Sequence, residues 1–259
     1  MTAMTYSPVP TRSEARPRYT LSFSGAVASE WIKLRSMRFT WWNTVLQLAL
    51  GTGMAAMMAW SMSLLVADGD QMTVDGMIAV IANQGVVFVG TVIALVIGVL
   101  AVTSEYASGS IRSTLAADPR RGAVLAAKAL VVAGFTAVLG IAAEVVGLAI
   151  SAAIAVPGGI DFDTGPETWK AVAGAVFYLV VCGLVGLGLG FALRSSAGAI
   201  AMGLGVFFVL DIVLSLGKQA IDALRVVHEV LPSSAGGLVY SGPMAPDNSV
   251  LGGYWGGVA

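Results

Sequence analysis

The sequence predicts an all-α, polytopic membrane protein with five transmembrane helices, and three observations lead there. Charged residues make up 11% of the 259-residue chain, and its mean hydropathy is +0.84; an ordinary soluble domain carries about 25% charged residues. Residues 39–67, 76–104 and 171–193 contain no Asp, Glu, Lys or Arg, while 129–160 holds only Glu144 and 195–217 only Asp211. Each run exceeds the ~20 residues that cross a ~30 Å hydrocarbon core. The third observation is that the basic residues are sorted by loop, although the net charge is only −1.

The first 22 residues hold Pro8, Pro10, Pro17, Arg12, Arg16 and Arg18 without an apolar stretch. They read as a disordered tail rather than a cleaved signal peptide. Residues 23–40 read as an amphipathic surface helix. Phe23, Val27, Trp31 and Leu34 recur at helical spacing opposite Ser29, Lys33 and Ser36. Lys33, Arg35 and Arg38 would be costly in lipid, and Trp41-Trp42 fit an interfacial aromatic belt.

The spans are predicted at about 42–66, 77–102, 126–156, 169–193 and 197–216. Asp68, Asp70 and Asp75 fill one acidic loop, and Asp161, Asp163 and Glu167 another. Arg194-Ser195-Ser196 is a tight turn. Residues 219–231 are predicted as a short amphipathic helix stopped by Pro232, within an external tail 217–259. Arginine and lysine cluster in the N-terminal segment, around 112–128 and at Arg194; the other side has only Lys170, Lys218 and Arg225. The positive-inside rule therefore puts the N-terminus and the 104–121 segment in the cytoplasm.

That segment, Ser104 to Arg121, is a polar island between two apolar runs. Gly109 suits a positive φ at a helix end, and Ser110 suits an N-cap for a two-turn helix carrying Ile111, Arg112 and Leu115. Asp118-Pro119 repeats the start signal with proline at the first helical position. Arg120, Arg121 and Lys128 are expected to snorkel to anionic headgroups. From the residues alone, the island either docks a partner or merely fixes topology.

Other chemistry is scarce. Gly217-Lys218 lacks the rest of a phosphate loop, and His228-Glu229 lacks the second histidine of a zinc protease. No metal site is expected, and Cys182 reads as packing. Glu144 and Asp211 are the intramembrane carboxylates, each costing about 3 kcal/mol at mid-bilayer. Glu144 is expected in a pathway or an inter-span contact, and Asp211 near the outer end of span 5 as a hydrated or hydrogen-bonded residue. Gly186-x-x-x-Gly190, with Gly183 and Gly188, predicts close helix packing within a subunit or across a dimer.

The order of surface helix (Ser29-Glu30-Trp31-Ile32-Lys33-Leu34-Arg35-Ser36), span, loop, span, then Ser104-Glu105-Tyr106-Ala107-Ser108-Gly109-Ser110-Ile111, Pro119-Arg120-Arg121 and Lys128, resembles the bacterial ATP-binding-cassette (ABC) type-2 permease family from about residue 24 onward. That resemblance implies a cytosolic coupling helix seated on a separate ABC ATPase. The positions carried over are Glu105, Gly109, Ile111, Arg112, Leu115, Pro119, Arg120, Arg121 and Lys128, with Glu30, Trp31, Lys33 and Arg35 on the surface helix approaching the same partner. It also implies an exporter permease that is not itself an enzyme, binds no cofactor, and leaves ATP and Mg to the partner. A homodimer or heterodimer in the plasma membrane is expected, with the lipid bilayer as environment and no nucleic-acid partner. The family pattern has six spans; here Tyr254-Trp255-Gly256-Gly257-Val258-Ala259 stands where the sixth would begin. The alternatives are a proton-coupled secondary transporter using Glu144 and a non-transporting membrane scaffold of the same fold.

Overall fold

The computed structural model describes residues 22–67, 77–110, 121–156, 162, 165–219 and 221–241. Among them the chain is helical, and five helices are long and apolar enough to cross a membrane. Helix α1 spans Phe23–Ser36. The first span, α2, runs through Arg38–Leu46, a π-helical turn at Gln47–Gly51, and Thr52–Ala67. The spans α3 (Met77–Ser108), α4 (Arg121–Ala155) and α5 (Pro166–Leu193) follow. The last span, α6, comprises Ser196–Leu204, a second π-helical turn at Gly205–Val209, and Leu210–Gly217; α7 (Asp222–Val230) and α8 (Pro232–Tyr240) close the described part. The end of the bundle that carries α1 is called proximal below, and the other end distal.

Helix α3 lies at the centre of the bundle. It packs most extensively on α5 and also touches α2, α4 and α6. Most of its apolar side chains are buried, among them Ile78, Val86, Leu95, Ile97 and Val102, while Phe88 is exposed. A helix apolar on every face is the expected occupant of such a position. In contrast, α2 and α6 leave most of their surface to lipid. Close approach of α3 and α5 depends on glycine. A Cβ on Gly98 would lie 1.9 Å from the Gly183 carbonyl oxygen, and one on Gly186 would lie 2.3 Å from that of Leu95. The small-residue face of α5 is thus used inside the subunit, against α3.

Helix boundaries differ from those predicted in ways that have local causes. The surface helix stops at Ser36 because Met37 adopts an extended conformation (φ −78°, ψ 130°). Thr40 Oγ1 then donates to the Leu34 carbonyl at 2.7 Å, and Trp41 Nε1 donates to that of Arg35 at 3.0 Å. These bonds satisfy carbonyls that the helix end would leave open. At the proximal α5–α6 turn, Arg194 takes the left-handed conformation (φ 52°) and the Ser195 hydroxyl caps α6 through the Gly198 N–H.

Helix α7 ends at Val230, ahead of Pro232, and regular structure resumes at Pro232 itself. The proline occupies the first turn of α8, where a missing N–H costs nothing. The tail read at 217–259 therefore holds a second helix, which packs on α5, where Gly236 lies against the Tyr178 ring, and touches α3, where Asn83 Nδ2 donates to the Tyr240 carbonyl at 3.1 Å.

A buried ion network as candidate functional site

Helices α3 and α4 have 32 and 35 residues, or roughly 48 and 52 Å at 1.5 Å per residue. Both exceed a ~30 Å hydrocarbon core, and at the proximal end helix α1 packs against α4. Leu34 is buried there, with Val27 packed on the same core cluster. Beside Leu34, α1 turns a carboxylate inward. Glu30 is 4% exposed and meets Glu105 of α3 (3%) and Lys128 of α4 (3%).

Four side chains form one network. Lys33 Nζ donates to Glu30 Oε1 at 2.7 Å and to Glu105 Oε1 at 3.2 Å. Lys128 Nζ donates to Glu30 Oε2, to Glu105 Oε1 at 2.9 Å and to the Ala101 carbonyl at 3.2 Å. A lysine ammonium has three protons, and Lys128 spends all three on buried acceptors. Burial pushes the Glu30 carboxyl up, but the hydrogen bonds from Lys128 and Lys33 more than offset that and hold it below the usual carboxylate value. Burial likewise lowers Lys33, and its bonds to Glu30 and Glu105 raise it above the usual lysine value.

The sign of the linkage follows. The contribution of Glu30 is present above its unfolded pKa and is lost as pH falls through its depressed folded value. That of Lys33 is present below its unfolded pKa and is lost as pH rises through its raised folded value. Docking of α1 is expected to be flat between these limits. In a variant retaining Trp31 as its sole tryptophan, emission should hold across neutral pH and shift only as pH falls below the usual carboxylate range or rises above the usual lysine range. A transition near neutrality would contradict this.

The network corrects one expectation. Lys128 does not snorkel to headgroups: Glu30 and Glu105 draw it into the contact between α1, α3 and α4. Arg121 opens α4, while Ile111, Arg112, Leu115, Pro119 and Arg120 lie outside the described residues. Gly109 has φ +71° and its N–H meets the Tyr106 carbonyl at 3.2 Å, closing α3. Trp31 is half exposed, its ring 6.2 Å from that of Phe135, and Arg35 is exposed beside it. Arg194 lies over the Tyr106 ring at 5.9 Å, tying the α5–α6 turn to the end of α3.

The intramembrane carboxylates lie elsewhere. Glu144 is completely enclosed, and neither of its carboxyl oxygens has a hydrogen-bond partner among the described residues. Asp211 Oδ1 accepts from Ser233 at 2.8 Å and Ser234 at 3.0 Å on α8. Neither serine stood out in the sequence, because the stretch after Pro232 read as tail. The usable signal was Pro232 itself, a residue suited to a helix start. Among the described residues no cluster of His, Cys, Asp and Glu could hold a metal ion.

Comparison with curated proteins gives no match. The profile of the ABC-2 family of transporter proteins matches residues 26–231, a stretch that takes in most of α1, all five spans and α7. Five apolar helices and that match together make this chain a member of the ABC-2 family, a multi-pass membrane permease subunit of an ABC transporter.

Proposed function

We propose that the chain is the permease of an exporter driven by a separate cytosolic ABC ATPase, with the proximal end in the cytoplasm of a plasma-membrane protein. The ATPase docks on the segment between α3 and α4, and two permease chains complete the unit. One observation carries this reading. The helices that flank that segment are locked to each other and to α1 by Glu105, Lys128, Glu30 and Lys33. A push on the loop then moves three helices as one piece rather than bending a linker. ATP binding, with Mg held by the ATPase, favours one of two arrangements of the spans through its differential contacts at the loop.

Co-expression with a candidate ABC ATPase from the same genome tests it. Replacing Arg112, Leu115 and Arg120 together by alanine is expected to abolish co-purification and permease-dependent ATP hydrolysis while leaving the monodisperse permease and its melting temperature unchanged. Retained co-purification would count against the docking site. Direction of transport is read separately, from accumulation of cargo in inside-out vesicles.

A further inference from the structure

A cavity of about 580 Å³ lies at the distal end, between α2, α3, α5, α6, α7 and α8. It falls within the 300–1,000 Å³ usual for small-molecule sites. Its lining changes character with depth. Lys218 and Asp211 sit at the mouth, the first just past the end of α6 and the second six residues before that end, about 9 Å inward. Deeper, the wall is aromatic. Phe88 and Phe208 meet edge to face at 5.4 Å, and Tyr178 meets Phe207 at 6.4 Å. The π-helical turn Gly205–Val209 supplies both Phe207 and Phe208. Phe88 and Ile212 are exposed at the edge, so the cavity opens sideways toward lipid.

The charges at the mouth are held apart. Lys218 Nζ lies 3.3 Å from His228 Nδ1. An ammonium can only donate, so Nδ1 is the acceptor, and Nε2 carries the proton that faces Ser234 Oγ at 3.2 Å and Asp211 Oδ1 at 3.4 Å. The imidazole is thus a spacer between one cation and one anion. Asp211 Oδ1 is occupied by Ser233 and Ser234, which leaves Oδ2 as its open oxygen among the described residues. Glu229, the remaining ion in the lining, is paired with Arg225 outside it at 3.1 Å.

We propose that this cavity binds a zwitterionic amphiphile, its ammonium on Asp211, its anionic group on Lys218, and its apolar body along Phe88, Phe208 and Tyr178. A purely cationic head would meet Lys218, and a purely anionic one Asp211. The polar-to-aromatic gradient also runs along the spans, the direction in which a bilayer amphiphile orders itself. Neither the coupling segment nor the direction of transport enters this assignment.

The test uses the full-length chain in a neutral maltoside detergent and fluorescence anisotropy with three tail-labelled probes of equal chain length. These are a lysophosphatidylethanolamine, a lysophosphatidylglycerol and an alkylamine. The ethanolamine lipid is expected to bind at least about tenfold more tightly than either of the others. Asp211→Asn and Lys218→Gln should each remove most of that preference, and Phe208→Ala should weaken all three probes together. Equal affinities, any other ranking of the heads, no binding, or a preference that survives both polar substitutions would overturn the proposal. If Asp211→Asn aggregates, the ranking in the unmodified chain and the Lys218→Gln variant decide.

Discussion

Replacing Lys128 by methionine is expected to destabilise the proximal end by about 3–5 kcal/mol, the cost of removing one partner from a buried ion group. Glu30 and Glu105 would then share Lys33 alone, whose side chain is 35% exposed and already bonded to both. Thermal unfolding in detergent reads the loss, and proteolysis within α1 reports its release. Two comparisons separate charge from packing. Lys33→Gln should cost no more than about 1 kcal/mol, because solvent screens that partner. Adding Glu105→Gln to Lys128→Met should recover part of the loss, since it removes one of the stranded charges. A Lys128→Met protein as stable as its parent would mean that the network is not what holds α1 in place.

Crowding the α3–α5 contact should cost comparably. Gly98→Ala would set a methyl 1.9 Å from the Gly183 carbonyl oxygen, and Gly186→Ala one 2.3 Å from that of Leu95. Both obstacles are backbone, so relief requires the helices to part. Overpacking of this kind costs about 1–3 kcal/mol and sometimes more, with Gly98 at the upper end because its approach is closer. Gly188→Ala on the same helix is the control: nothing lies within 4 Å of its added carbon, and alanine is the better helix former. Monodispersity and melting temperature should fall for the first two and hold or rise for the third. Equal behaviour of all three would refute the contact.

The spans were legible because lipid imposes a strong rule. A segment without charges for twenty residues has few options other than a helix in the bilayer. The breaks were less legible. Nothing in Arg35-Ser36-Met37-Arg38 signals an extended residue by propensity; the bend is held by Thr40 and Trp41 reaching back to Leu34 and Arg35. The two π-helical turns carry no sequence signature either, yet each shifts which residues face protein beyond it.

The candidate site was half visible. Lys128 and Glu105 came forward through resemblance, and Glu30 and Lys33 through the surface helix, but as separate groups. The excess of basic residues on the side predicted as cytoplasmic masks the carboxylates that lie among them. Glu30 and Glu105 were the pointers there. A buried glutamate asks for a cation, and Lys128, 98 positions from Glu30, could be matched to it only through packing.

The proximal network also has an electrical consequence. Its two carboxylates and two ammonium groups sum to zero, and each is bonded to an opposite charge within the group. Moving these four side chains together therefore carries no net charge through the membrane field. A single unbalanced member would add about 2.3 kcal/mol per 100 mV for each full crossing of the field. As built, the network itself neither draws on the membrane potential nor is driven by it.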